Sequence, residues 1–505
     1  MIGWPNSKLK NLTTKVGSGA TPKGGKDAYH AKGTPLIRSL NVHMAGFRSD
    51  GLVFLNEEQA EGLRNVAVED GDVLLNITGA SIGRVAQAPP AMAGARVNQH
   101  VCIVRTTPDL VPAFLRWYLA SPSQQARIMR EQSGATRQGL PKGKILDFDV
   151  PVPSVDEQRC IVAKIEELFS DLDAGVAALE RVRANLKRYR AAVLKAAIEG
   201  KLTEQWRAEH PDVEPASELL HRILTERRRQ WEQDQLAKYE AKGKKPPKGW
   251  KDKYKVPAEP DTANLPSLPA GWCWSTIDQL ISYLRNGLSK KPATTPPGHA
   301  ILRINAVRPM EVRLDEVRFY DRPNDEVEGY FICNGDLLFT RYNGSVELLG
   351  VAGLVRGCKR PTLHPDKLIR VQTVLPAPLP EYVEIASNVG IARTHMASRA
   401  RTTAGQTGIS GIDVREMPIP LCPSSEQTEI ILRIQEQLRQ ETRALNQVDV
   451  NIRRAARLRQ AILKRAFEGR LVPQRTENRG VSSTPPARRR GGRPTMSISS
   501  RGVSS

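Results

Sequence analysis

The octapeptide KAAIEGKL at Lys195–Leu202 returns as KRAFEGRL at Lys464–Leu471, 269 positions later. The register runs back without a gap to Glu157-Gln158 and Glu426-Gln427, and 14 of the 46 aligned pairs are identical. A chain that carries such a copy must build one piece of architecture twice. Its 505 residues already call for more than one core.

Each copy follows a Pro-x-Pro stretch, DVPVPSVDEQ (149–158) and EMPIPLCPSSEQ (416–427). Asp156, and Ser424 or Ser425, are the candidate helix caps. Apolar residues then recur at three- and four-residue spacing: Val162, Ile165, Phe169, Leu172, Val176, Leu179, Leu186 and Val193. The second copy carries Ile431, Ile434, Leu438, Leu445, Val448, Ile452, Ala455 and Ile462 on its own stripe, and all but Ile452 fall at places of the first stripe. This is a heptad-like seam. Gly200 and Gly469 stand where a helix-closing glycine belongs. The pattern predicts two helices of about 40 residues, each about 60 Å long. One apolar stripe cannot bury itself, so the two helices are expected to pair, antiparallel.

The repeat continues upstream in shorter pieces. PLIRSLNV (35–42) parallels AILRINAV (300–307), DGDVLLNITG (70–79) parallels NGDLLFTRYNG (334–344), and QHVCIVRT (99–106) parallels DKLIRVQT (366–373). Short Val/Ile/Leu runs between Gly-Asp and Asn-Gly turns read as strands. The predicted order is a globule at 1–150, a long helix at 151–205, a charged helix with a Lys/Pro-rich linker at 206–265, a second globule at 266–417, a second helix at 418–475 and a basic tail at 476–505. The fold class is α+β, an internal tandem repeat with pseudo-twofold symmetry.

The net charge of +21 points to an acidic partner such as nucleic acid. It is concentrated in two places. KGKKPPKGWKDKYK (242–255) holds seven Lys against one Asp, and 476–505 holds six Arg against one Glu. Both read as flexible. Arg227–Arg229 and the Lys run fit a solvated face or linker as well as a DNA contact. Six cysteines lie scattered without a close pair, which reads as reduced structural thiols and gives no zinc spacing. No apolar run is long enough to span a bilayer and the N-terminus carries no apolar signal core, so a cytoplasmic protein is expected.

No catalytic motif stands out. TPPG (295–298) and KPPK (245–248) lack the ends of an Asn/Asp-Pro-Pro-aromatic methyltransferase tetrapeptide, and no Gly-x4-Gly-Lys-Ser/Thr loop exists. No His/Asp/Ser set or paired carboxylates suggest hydrolysis. No enzyme and no cofactor are expected.

Taken in order, these elements resemble the specificity subunits of Type I restriction-modification systems. The resemblance rests on the duplicated PxP…EQ stretch leading to a helix that ends EGKL or EGRL, on GDVLLNITGASIGRVA (71–86), on NQHVCIVR (98–105) and on LPAGW (268–272). It covers residues 3–475. It implies two target-recognition domains separated by two long helices in an antiparallel coiled coil. Each domain would read one half of a split, asymmetric duplex DNA target. The helices would set the spacing and dock two methyltransferase subunits, with restriction subunits joining. The alternatives are a specificity subunit of a fused restriction-methylase enzyme, or a coiled-coil scaffold that binds no DNA.

Base reading needs amide, hydroxyl and guanidinium groups on loops, with cations nearby for phosphates. In the first globule the candidates are Arg38 and Asn41; Asn76, Thr78, Ser81 and Arg84; Asn98 and Gln99; and Arg137, Gln138, Lys142 and Lys144 in GATRQGLPKGK (134–144). In the second they are Arg303 and Asn305; Arg341, Asn343 and Ser345; and Arg399, Arg401, Gln406 and Thr407. Each fits a turn or capping role as well. Asp72 and Asp336 read as turn formers. PARRRGGRPT (486–495) contains a Gly-Arg-Pro core like an AT-hook, and its flanks favour a non-specific phosphate-binding tail.

Overall fold

The computed structural model describes residues 4–22, 25–132, 139–374, 376–403 and 406–473. The chain divides into two compact units. One holds residues 1–176 with 453–505, the other residues 177–452.

The copies fold alike down to the residue. The first long helix is Val155–Ile198 and the second is Ser424–Phe467, 44 residues each and in the same place in the repeat. Both close identically. Gly200 (φ 72°) and Gly469 (φ 68°) take the left-handed conformation that a side chain resists. The Lys201 N–H reaches the Ala196 carbonyl at 2.9 Å and the Arg470 N–H reaches that of Arg465 at 2.8 Å, while the glycine N–H groups bond Ala197 and Ala466. These are Schellman caps. The starts differ from expectation. Ser154, not Asp156, offers its hydroxyl oxygen to the Glu157 N–H, at 3.3 Å. Asp156, Ser424 and Ser425 sit inside the first turn, where acids still favour the helix dipole.

Each unit is built on the same pair of sheets. In the first, a four-stranded antiparallel sheet runs in the order Thr13–Ser18, Val101–Thr106, Val73–Asn76, Val85–Gln87. In the second the order is Ile281–Asn286, Leu368–Thr373, Leu337–Thr340, Ala352–Leu354. A three-stranded sheet accompanies each, centred on Thr34–Ile37 and on His299–Leu302. The central strands are buried on both faces, which is why they read as unbroken apolar runs.

The long helices pack antiparallel within each unit. In the second unit, Arg433 donates to the Leu202 carbonyl at 2.7 Å, Tyr189 to Gln437 at 2.9 Å, and Arg183 pairs with Asp449. Along these three pairs the number in the second helix rises from 433 to 449 while its partner's falls from 202 to 183, the mark of antiparallel packing. In the first unit, Arg459 pairs with Asp173 and lies 4.8 Å from the Phe169 ring, and Leu463 and Ala466 join Ile161, Ile165 and Phe169 in one core. Among the described residues no helix is long and apolar enough to cross a membrane.

Candidate nucleic-acid interface

The duplicated Glu-Gln pair explains how the globules are held at the helices. The Gln158 amide accepts from the Val111 N–H at 2.8 Å and donates to the carbonyls of Asp109 and Pro153. Gln427 repeats this with the Leu379 N–H at 3.0 Å and the Cys422 carbonyl. Both are fully buried and satisfied. Glu157 accepts the indole N–H of Trp4 at 3.2 Å, and Glu426 that of Trp272 at 2.8 Å. So the motif ties the opening residues of each globule and one of its loops to the start of its own long helix.

A second shared device lies in the sheets. Asp72 receives Arg105 in a bidentate pair at 2.8 and 2.9 Å, and Asp336 receives Arg370 at 3.0 Å. Each carboxylate also accepts the N–H three residues before it, from Glu69 and Cys333. That is turn formation with a buried counter-ion. Burial holds the Asp336 carboxyl above its ordinary range, although the Cys333 N–H, Gln372 and Arg370 oppose the shift.

The polar loops gather at one place in each unit. In the first, Thr78 bridges to Gly139, and the Leu140 N–H reaches the Ile77 carbonyl at 2.8 Å. In the second, Tyr342–Asn343 pairs with Gln406–Gly408, and the Ile409 N–H reaches the Arg341 carbonyl at 2.9 Å. Two loops distant in sequence are thus joined edge to edge, by equivalent pairings. The second unit extends this into a three-stranded sheet with Arg401–Thr403.

The candidate residues separate into two groups on that frame. Asn41, Asn76 and Asn98 are at most 3% exposed. Asn41 spans the carbonyls of Arg48 and Asp50, Asn76 donates to the Ser39 carbonyl at 2.9 Å, and Asn98 accepts the His100 N–H at 3.0 Å. All three amides are tied to the backbone of their own domain and act there as scaffold, while the Asn76 Oδ1 has no partner among the described residues. Arg38 is committed as well, to the Gly51 carbonyl at 2.7 Å and the Tyr29 ring. Arg303 and Asn305 share Glu316, each at 3.1 Å. Arg341 donates to the Asp366 carbonyl and lies over Tyr342, and Asn343 accepts the Ser345 N–H. Arg399 pairs with Glu416 and Lys144 with Glu131.

Others are available. Ser81 and Arg84 are half-buried, Lys142 is exposed, and none has a side-chain partner among the described residues. Arg401 is exposed and free of ion pairs there. Gln99 is exposed and accepts from Thr21, while Thr78 meets His100 and Thr407 meets Thr402. Gln406 lies in the paired strand. Arg137, Gln138 and the basic tail lie outside the described residues.

No catalytic chemistry emerges among the described residues. No His, Cys, Asp and Glu group there is spaced to hold a metal. Burial pushes the Cys102 thiol up to about 12 and Cys273 up to about 11, the opposite of an activated nucleophile.

The family profile described as Type I restriction modification DNA specificity domain matches residues 1–181. The chain is 29% identical to the specificity subunit of the Type I restriction enzyme EcoKI of Escherichia coli K12, over 94% of this chain and 91% of the relative. The chain is similar to Type I specificity subunits over nearly its whole length. The StySPI specificity subunit of Salmonella potsdam is a second relative, 24% identical over 94% of this chain and 91% of its own. The fold agrees. A chain solved in work on complex assembly and conformational transition of the type I restriction-modification system superposes with a TM-score of 0.55, over 93% of this chain and 98% of that one, at 16% identity.

Proposed function

We propose that the chain reads a split DNA target, one half with each unit, while presenting equivalent surfaces of its paired helices to two methyltransferase subunits, which restriction subunits then join. The observation that carries this reading is the duplicated edge-to-edge pairing of polar loops, Thr78 with Gly139 and Asn343 with Thr407, on otherwise matching sheets. The frame is kept between copies, but the loops on it differ: NITGASIGR against TRYNGSVEL. A symmetric palindrome reader uses two identical chains. One chain with two like frames and unlike loops can meet two identical partners and still read two different sequences.

Domain exchange tests it. Residues 1–150 are replaced by the first domain of another family member, and methylated sites are mapped across a genome in cells that supply the methyltransferase. The expected result is a change in one half of the target only. A change in both halves, or in neither, overturns the reading.

A further inference from the structure

The Lys-rich stretch between the first long helix and the second globule is built, not loose. The helix Ala216–Ala241 precedes it and is seated by Ala216, Leu219 and Ile223, all at most 2% exposed, in the core of the second unit. Arg227 on this helix donates to the Ile281 carbonyl at 2.9 Å and pairs with Asp278 at 3.5 Å. The chain then turns at Gly243 and Gly249, both at positive φ, and lies back along the helix. Trp250 stacks on Trp231 with ring centres 5.9 Å apart, and Tyr254 meets the edge of Trp231 at 5.3 Å. The Arg227 guanidinium donates to the Tyr254 hydroxyl at 2.6 Å, and Lys251 pairs with Glu232 at 2.8 Å. Downstream, the Thr276 hydroxyl holds the Ala258 carbonyl at 2.7 Å.

The other six lysines of the stretch, Lys242, Lys244, Lys245, Lys248, Lys253 and Lys255, are all exposed. None forms an ion pair among the described residues, whereas Lys251 in their midst does. Asp252 is the sole acid between 242 and 255. Like charges held this close on a fixed loop repel one another, and an aromatic clasp that fixes them adds no relief. A polyanion relieves the repulsion. It also gains from fixation, because a loop already ordered gives up less entropy on binding.

We propose that this clasped loop is a phosphate-binding lobe that grips the backbone of duplex DNA without reading its bases, as a contact separate from the loop edges of either unit. The proposal rests on the DNA-recognition reading above and adds a site to it. Lysines act here as point charges and lack the planar fork with which arginine reads guanine. The lobe therefore adds affinity to every sequence alike.

The test uses the full-length chain in which the six lysines are changed to Gln, with Lys251 kept because Glu232 uses it. Binding to a labelled random-sequence duplex is titrated across salt concentrations, beside a control in which the six are changed to Arg. Each phosphate that a lysine no longer neutralises lowers the slope of log affinity against log salt by about 0.9, so the Gln variant is expected to drop by up to roughly 5 in slope. The Arg control should keep the slope, and the methylated sequence should not change. An unchanged slope in the Gln variant overturns the proposal. So does failure of methyltransferase assembly at constant slope, which would make the lobe a protein-docking surface. Failure of the DNA-recognition reading is separate: the wild-type chain would then show no sequence preference whatever the lobe does.

Discussion

The indole N–H of Trp272 donates to the Glu426 carboxylate at 2.8 Å, joining the opening of the second globule to the first turn of the second long helix. Glu426 is fully buried and also receives the Thr203 hydroxyl at 2.6 Å and the Arg207 guanidinium at 2.5 Å. Its counterpart Glu157 has Trp4 alone as a side-chain partner among the described residues. One motif therefore carries two different energetic weights.

Glu426→Ala should expose the difference. It strands a part-buried Arg207 and a buried indole, so the cost should be about 3 kcal/mol, within the range for breaking a buried pair. Glu157→Ala removes one bond at a half-buried site and should cost about 1 kcal/mol. Denaturant midpoints of the two variants decide it, and equal shifts would refute the assignment.

Glu441 gives a second contrast. It lies 4% exposed in the helix seam, 3.7 Å from Arg190, with its Oε2 unbonded. In the first helix the same repeat position is Leu172. A buried carboxylate with one distant partner is expensive to desolvate. Glu441→Leu should therefore raise the denaturant midpoint by an amount equivalent to about 1 kcal/mol or more. Arg190→Ala should lower it, because the acid is left alone.

The long helices were legible because their determinants are local: periodic apolar residues, a closing glycine and a copy that checks them. Even so, the cap moved from Asp156 to Ser154, a choice made by one hydroxyl's geometry. The reading residues were poorly legible. Asn41 and Arg84 look alike in a sequence, both polar and both beside a turn, yet one is sealed by the carbonyls of Arg48 and Asp50. Only tertiary structure separates them. The Lys-rich stretch misled through composition. Its Pro, Gly and Lys content reads as linker, while the partner of Trp250 lies well upstream, at Trp231 on the preceding helix.

His364 predicts a pH dependence. Its ring is fully buried, donates Nδ1–H to the Tyr330 carbonyl at 2.7 Å, and has its pKa lowered from 6.5 to about 4. Burial is the main cause, and Arg370 and Arg285 add to it. Between those values the unfolded chain binds a proton that the folded chain refuses. The contribution is complete above pH 6.5 and is lost as pH falls toward about 4, by up to about 3 kcal/mol. His364→Asn keeps a donor for Tyr330 and removes the titration. Melting temperatures followed from about pH 7 down to about pH 4.5, across the window where this histidine titrates, should fall less steeply for the variant than for the wild type. Parallel curves would contradict the argument.

The last prediction separates reading from scaffolding in one domain. Arg84 is half-buried on the loop that carries the Thr78–Gly139 bridge and has no side-chain partner among the described residues. Asn41 is fully buried with three backbone bonds. Arg84→Ala should leave the melting temperature unchanged, within the small range typical of surface changes. It should weaken target binding by about 1–3 kcal/mol if Arg84 meets a base, with relaxed preference at one position of one half-site. If it meets a phosphate instead, all sequences weaken equally and the salt slope drops by about 1. Asn41→Ala should do the reverse. It leaves buried carbonyls unsatisfied, lowers stability by about 2 kcal/mol, and alters DNA binding only through the smaller folded fraction. Calorimetry paired with binding curves, corrected for that fraction, distinguishes the two roles. An Asn41→Ala chain that melts normally but loses sequence preference would return Asn41 to the reading set.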